Sequence, residues 1–374
     1  MHILFAGGGT AGHINPALAV AGYIRERHPD AAISFIGTAE KLEARLVPEA
    51  GYDFYTIDVA GFQRKPSFEN LKRNLSALRK VFVSSSQAKK LLRQLQPDVV
   101  MGTGGYVSGP VLREAARMGF KTAIHEQNAF PGVTTKMLAP KVDKIMLAMP
   151  EAKKYLKLQS EPIITGNPVR EAVTHADRQA ARKALGLDDR PFILSFGGSL
   201  GARAINEAAA DLMAWHWKEG KYYHYHAAGR AGYAYMQELL EKKGVRLSDA
   251  PAIRMTEYIN DMDLCMAAAD LVICRAGAIT LSELQVQGKA SILIPSPYVA
   301  ENHQFHNAMT LKNRGAAEVI EEKDLTGEKL VGEVAGLLAD PAALSAMGDN
   351  AKKNAVLDGN ARIYSVIMEL YSKR

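Results

Sequence analysis

Ile3-Leu4-Phe5-Ala6-Gly7-Gly8-Gly9-Thr10-Ala11-Gly12-His13 decides how this chain is read. Four apolar residues run into three glycines, and a helical pattern follows from Pro16-Ala17-Leu18-Ala19-Val20 onward. A buried strand, a glycine turn and a helix make a phosphate-binding layout. Glycines let backbone N–H groups approach an anion, and the helix N-terminus adds partial positive charge. The stretch has a near-copy, Leu194-Ser195-Phe196-Gly197-Gly198, 190 residues further along a chain of 374. One such loop says little; two at half-length spacing predict two domains.

Composition agrees. A chain of 374 residues is longer than a single core usually grows, and 47% hydrophobic with 23% charged residues is ordinary for a globular protein. Cys265 and Cys274 show no CxxC spacing, so neither a disulfide framework nor a zinc site is expected, and a reducing compartment fits. Only a short apolar run precedes the first glycines, so no signal peptide is expected. No run reaches the roughly 20 apolar residues of a membrane span. A net charge of +6 suits anionic ligands or an anionic membrane surface. Aromatic-interleaved basic clusters are missing, so no nucleic-acid partner is expected.

Strands are expected near 3–6, 33–36, 54–57, 99–101, 122–125 and 144–147, with helical patterns between them. That alternation predicts an α/β fold, a parallel sheet with helices on both faces. Three strands run into polar or glycine-rich turns, at 7–13, 102–109 and 125–128, and ligands bind beyond the carboxyl ends of such strands. Gly166-Asn167-Pro168-Val169 interrupts the pattern, which restarts with strands near 192–196, 222–227, 252–255, 271–274 and 291–294. The expected domains are 1–164 and 165–357, with a last helical segment at 358–374. Between Phe62 and Phe82, Phe68, Leu71, Leu75, Leu78 and Phe82 share a helical face amid Arg64, Lys65, Lys72, Arg73, Arg79 and Lys80. This reads either as a core-facing helix with a solvated basic side or as an element lying on an anionic membrane.

Gly7-x-Gly9-x-x-Gly12 fits the dinucleotide fingerprint, but the acid expected at the end of the second strand is missing. That strand ends Phe35-Ile36-Gly37-Thr38. His13 enters the helix from the glycine loop, placed for general-base work near neutral pH or simply bonded to backbone. His125-Glu126-Gln127-Asn128 puts four polar side chains at a strand end, more than a turn needs. Tyr106 and Ser108 add hydroxyls on the neighbouring loop. In the second half, Cys274-Arg275-Ala276-Gly277-Ala278-Ile279-Thr280-Leu281-Ser282-Glu283 repeats strand, small-residue turn and helix. Thr280-x-x-Glu283 is either a capping box or a turn whose Glu283 accepts from a vicinal diol such as a ribose. His303 and His306 stand at i, i+3, and no nearby acid completes a His-x-x-x-His or His-Glu-x-x-His set, so no metal is expected.

Together these segments resemble the MurG family of glycosyltransferases, which add N-acetylglucosamine to the lipid-linked muramoyl-pentapeptide precursor of bacterial peptidoglycan. The resemblance rests on Gly8–His13, Gly104-Gly105-Tyr106-Val107-Ser108-Gly109-Pro110, His125–Asn128, Gly166–Arg170, Gly197-Gly198-Ser199-Leu200-Gly201-Ala202-Arg203, Arg275–Glu283 and Asn302–Ala308, in order along the whole chain. The last block is loosest: His303-Gln304 stands where the family commonly has Gln-Gln.

The resemblance implies two doubly wound domains facing across a cleft (the GT-B architecture), with the last helix crossing back onto the first. It implies metal-independent, cofactor-free transfer with inversion, from UDP-N-acetylglucosamine to the polyprenyl-diphosphate-linked muramoyl-pentapeptide. The enzyme would sit peripherally on the cytoplasmic face of the membrane, with Phe62–Phe82 against anionic lipid. His13 is the expected base, with Glu126 as alternative. Donor contacts are implied for Thr10, Ala11, Gly12, Asn128, Arg170, Ser199, Asn206, the backbone of Ile259, Ala278, Ile279, Thr280, Leu281, Ser282, Glu283 and Gln304. Acceptor contacts are implied for Gly9, Gly104, Gly105, Tyr106 and Ser108. Rival readings are a related transferase with other substrates, a UDP-sugar epimerase of similar fold, a non-catalytic surface protein and a dehydrogenase.

Overall fold

Each half of the chain closes its strands into one parallel sheet. The structure, a computed structural model, describes residues 1–59, 68–198 and 200–373, with the backbone alone from 68 to 81. It divides into two compact units, Met1–Val169 with Asp358–Arg374, and Arg170–Leu357.

The first unit holds β1 (His2–Gly7), β2 (Ala32–Gly37), β3 (Asp53–Thr56), β4 (Val99–Gly104), β5 (Lys121–Glu126), β6 (Lys144–Leu147) and β7 (Ile163–Ile164). They lie side by side as β3-β2-β1-β4-β5-β6-β7. Its helices are α1 (Ala11–Arg27), α2 (Glu43–Glu49), α3 (Phe68–Leu95), α4 (Gly105–Arg117) and α5 (Val133–Leu138). Ile3, Leu4, Phe5 and Ala6 are all fully buried, as are Val99, Val100 and Met101. A central parallel strand is covered on both faces, which is why these strands read as unbroken apolar runs.

The second unit contains α6 (Glu171–Thr174), α7 (Arg178–Ala184), β8 (Phe192–Phe196), α8 (Arg203–His216), β9 (Tyr223–Ala227), α9 (Tyr233–Lys242), β10 (Ile253–Thr256) and α10 (Met262–Ala268). It continues with β11 (Leu271–Cys274), α11 (Ala278–Gln287), β12 (Ala290–Leu293), α12 (His303–Lys312), β13 (Glu318–Val319), α13 (Gly327–Ala339) and α14 (Pro341–Lys353). Its sheet runs β10-β9-β8-β11-β12-β13. In each sheet the strand order reverses beside the first strand, between β1 and β4 and between β8 and β11. A crevice for ligands opens at such a switch point, outside the carboxyl ends.

The chain then returns to the first unit as α15 (Gly359–Ser372). Ile363, Val366, Ile367 and Leu370 enter the core of β1, β2 and α1, a burial worth roughly 1.5–3 kcal/mol per side chain. Residues 165–169, placed by sequence in the second domain, pack with the first. Asn360 Nδ2 donates to the Val169 carbonyl, and a Cβ on Gly359 would lie 2.6 Å from the Asn167 carbonyl. Among the described residues no single helix is long and apolar enough to cross a membrane.

Candidate active site

In the first unit the β1–α1 and β4–α4 turns meet around His13. Its Nδ1 lies 3.1 Å from the Gly8 carbonyl and 3.3 Å from Thr10 Oγ1. A carbonyl only accepts, so the Gly8 contact requires the proton on Nδ1 and leaves Nε2 bare. The other turn makes room for the ring. A Cβ on Gly104 (φ +103) would lie 2.7 Å from His13 Cδ2, and one on Gly105 (φ +79) would lie 2.4 Å from the Gly8 oxygen. Both are left-handed positions that suit glycine. Thr10 and Gly12 are exposed at the start of α1, and Tyr106 is 59% exposed. Gly9 points its amide inward, to Glu43 Oε2 at 2.9 Å, so that N–H does not serve an acceptor phosphate.

Several polar residues expected on the rim hold the scaffold instead. Ser108 is fully buried, with Oγ 2.7 Å from the Ala6 carbonyl and 2.8 Å from that of Gly104, stitching β1 to the β4 turn. His125 is buried between the Gly166 carbonyl and the Gln127 amide, and burial lowers its pKa, keeping it neutral. Glu126 is 4% exposed and its carboxylate takes four hydrogen bonds. Oε1 accepts from the backbone N and Nδ2 of Asn128, each at 3.1 Å. Oε2 accepts from the Gly132 amide at 3.1 Å and Thr135 Oγ1 at 2.6 Å. The four-residue polar cluster is therefore mostly a folded-in tie, with Asn128 alone partly exposed.

In the second unit, α11 begins at Ala278 with Gly277 as its N-cap. Thr280 thus lies inside the first turn, and Thr280-x-x-Glu283 is not a capping box. Ala278, Ile279 and Thr280 form the first turn of the helix, whose positive dipole end favours an anion. Leu281 is buried within the helix, and Ser282 Oγ returns to the Ala278 carbonyl. The Glu283 side chain is 12% exposed; burial raises its pKa, and Arg170, with Nη2 3.4 Å from Oε1, opposes that. A cavity of about 510 Å³ is lined by Gly197, Gly198, Gly201, Arg275, Gln304 and Glu322, among others. Gln304 Oε1 accepts from the Ser296 amide at 2.9 Å, and Arg275 pairs with Glu322. Glu301 (φ +55) and Asn302 (φ +50) adopt left-handed backbone just before α12. Ile259 is buried. Ser199 lies outside the described residues.

Asn206, expected at the donor, is 1% exposed and ends a buried chain of hydrogen bonds. Its Nδ2 donates to the Ala228 carbonyl, so its Oδ1 accepts from His226 Nε2 at 3.2 Å. His226 Nδ1 then accepts from Ser195 Oγ, which accepts from His224 Nε2, both at 2.7 Å. His224 Nδ1 in turn accepts from His216 Nε2 at 3.3 Å. The chain runs in one direction only if all three histidines are neutral, and burial lowers the pKa of His216 and His226 to about 4 and holds that of His224 well below its ordinary value. Neither this chain nor Glu43 stands out in the sequence. The signal for Glu43 is an acid six residues past Gly37, where a dinucleotide site would carry one nearer the strand end.

Residues 3–147 match the glycosyltransferase family 28 N-terminal domain and residues 192–363 the glycosyltransferase family 28 C-terminal domain. With two parallel α/β units, these matches define a glycosyltransferase. The chain is 46% identical, over all of its length and 99% of the relative's, to the UDP-N-acetylglucosamine--N-acetylmuramyl-(pentapeptide) pyrophosphoryl-undecaprenol N-acetylglucosamine transferase of Acetivibrio thermocellus. The solved structure of Acinetobacter baumannii MurG matches with a TM-score of 0.79 at 29% identity, covering 98% of this chain and 99% of that one. The chain belongs to the MurG family. Likeness of fold alone extends further, to the UDP-GlcNAc 2-epimerase of Neisseria meningitidis, with a TM-score of 0.65 at 12% identity over all of both chains.

Proposed function

We propose that this chain transfers N-acetylglucosamine from UDP-N-acetylglucosamine to a polyprenyl-diphosphate-linked muramoyl-pentapeptide, with inversion and without a metal. The observation that carries the reading is His13, whose Nδ1 is engaged by the Gly8 carbonyl between two glycine turns, leaving Nε2 to take a proton. The second unit supplies the donor side in this reading. Glu283 accepts from the ribose hydroxyls, the first turn of α11 faces the diphosphate, and Gln304 meets the sugar. Asn206 and Ser108 position loops, and Glu126 holds Asn128 and the start of α5 in place.

The step is a single displacement. His13 Nε2 removes the acceptor hydroxyl proton as that oxygen bonds to the anomeric carbon. The bond from that carbon to the diphosphate oxygen breaks, and its electrons leave with UDP. Negative charge grows on the diphosphate, where oriented amides at a helix N-terminus stabilise it. Glu126 is a poorer base, because four donors already occupy its two oxygens.

Such an acceptor carries its lipid in a membrane, so the protein docks on the anionic cytoplasmic face in this reading. The basic amphipathic stretch 62–82 is the candidate element. Its side chains lie outside the described residues except that of Phe82, which is 75% exposed at the far end. Labelled donor incubated with the muramoyl-pentapeptide lipid tests the activity: label enters the lipid fraction in the presence of a chelator. Transfer that requires added divalent cation overturns the metal-free step, and no transfer under any condition overturns the assignment. Vesicle binding is expected to need anionic lipid and to weaken with salt; equal binding to neutral vesicles counts against docking.

A further inference from the structure

Behind the His13 turn lies a carboxylate that the expected chemistry does not use. Glu43 opens α2 and is 0% exposed. Its Oε1 accepts from the Thr38 amide at 3.1 Å and Thr38 Oγ1 at 2.7 Å, and its Oε2 accepts from the Gly9 amide at 2.9 Å. Glycines make its room: a Cβ on Gly8 would lie 2.3 Å from Oε1, and one on Gly37 would lie 2.5 Å from Cγ. Removing a carboxylate from water is costly, and a neutral side chain would tie two loops together at less cost.

The geometry gives the charge something to act on. The Gly8–Gly9 peptide donates its N–H to Glu43 and accepts His13 Nδ1–H at its carbonyl, 3.1 Å away. A peptide bonded at its N–H to an anion is a stronger acceptor at its C=O, because chained hydrogen bonds polarise one another. His13 has a choice of tautomers. Thr10 Oγ1, 3.3 Å from Nδ1, can donate to a bare Nδ1, which would put the proton on Nε2 and block it as a base. Strengthening the Gly8 carbonyl decides against that form.

We propose that Glu43 is a positioning residue that holds His13, through the Gly8–Gly9 peptide, in the tautomer with Nε2 bare. The arrangement is a carboxylate–imidazole pair with one peptide group between the partners. Its consequence for turnover rests on the reading of His13 as base.

The test uses the whole protein labelled with ¹⁵N-histidine, whose long-range ¹⁵N–¹H correlations distinguish the tautomers. Wild-type His13 is expected to carry its proton on Nδ1. Glu43→Gln is expected to bring in the Nε2–H form and to lower kcat about 10–100-fold, leaving both KM values within about threefold. A wild-type ring protonated on Nε2, or a folded Glu43→Gln with an unchanged ring spectrum, overturns the proposal. If Glu43→Gln does not fold, Glu43→Asp withdraws the carboxylate by one methylene and keeps its charge; tautomer mixing supports the proposal and an unchanged spectrum overturns it. His13→Ala, assayed alongside, separates the two readings. Near-normal turnover there removes the base, and the ring spectra still decide the role of Glu43.

Discussion

The two glycine turns, Gly7–Thr10 and Gly197–Ala202, share a scaffold of buried strand, glycines and helix, and differ in what stands behind them. Behind the first is a buried anion, Glu43, joined to its backbone. Behind the second is an uncharged chain from His216 to Asn206 that ends on the Ala228 carbonyl, against which Gly201 packs so closely that a Cβ there would lie 2.2 Å away. The difference suits the tasks proposed for the two units. In the proposed reading a negative charge behind His13 orients the ring for proton transfer, whereas the same charge behind a donor-side loop would repel a diphosphate.

His13→Ala is the largest test of that contrast. Loss of a general base is expected to lower kcat about 10²–10⁴-fold, with the donor KM within a few-fold. Near-normal turnover would leave the first turn without its distinguishing function.

Next in size is acid stability of the second unit. His216 and His226 are held neutral in the fold, from an ordinary pKa of 6.5 to about 4. The unfolded chain therefore binds more protons below pH 6.5. Stability is at its full value above that pH and falls as pH drops toward 4, by on the order of 2–3 kcal/mol for each of these two groups. Urea unfolding at pH 7 and pH 4.5 checks the direction. Unchanged stability of the second unit across that window would show that the chain behind its loop is not neutral at pH 7.

How much of this was visible beforehand follows from what each residue's partners are. The strands were legible, because buried parallel strands are short apolar runs that lead into glycine-bearing turns, as at Ile3–Ala6 and Leu271–Cys274. The two-residue β13, Glu318–Val319, was not, since it has no apolar run. His13 was legible because its glycine turn fixes where it sits. The roles of Glu43, Ser108, Glu126 and Asn206 were not, because a polar residue at a strand end reads the same whether it faces a ligand or turns inward. Only the partners decide, and the pattern does not name them: Ser108 meets Ala6 and Asn206 meets Ala228, far off in sequence, while Glu126 turns back onto Asn128, Gly132 and Thr135.

Glu126→Gln sharpens the first side of the comparison at intermediate size. An amide cannot accept from four donors, so one or two are left facing an NH₂ group. The expected cost is about 1–3 kcal/mol of stability, read from thermal or urea unfolding, with kcat of the folded enzyme within about threefold. A large loss of kcat with unchanged stability would transfer the base from His13 to Glu126.

Glu283→Gln probes the other side and is the smallest effect expected. The carboxylate sits 12% exposed with Arg170 beside one oxygen. Gln keeps its shape and one acceptor but loses the charge, and hydrogen bonds to charged groups are worth about 1.5–3 kcal/mol, against 0.5–1.5 for neutral ones. The donor KM is therefore expected to rise about 10-fold while kcat holds within about threefold. A donor lacking the ribose 2′-hydroxyl turns this into a cycle. It should cost the wild-type enzyme more than it costs the variant, since the variant has already lost most of that contact. Equal costs would place the ribose elsewhere. A rise in the acceptor KM instead of the donor KM would place Glu283 at the acceptor and not at the ribose.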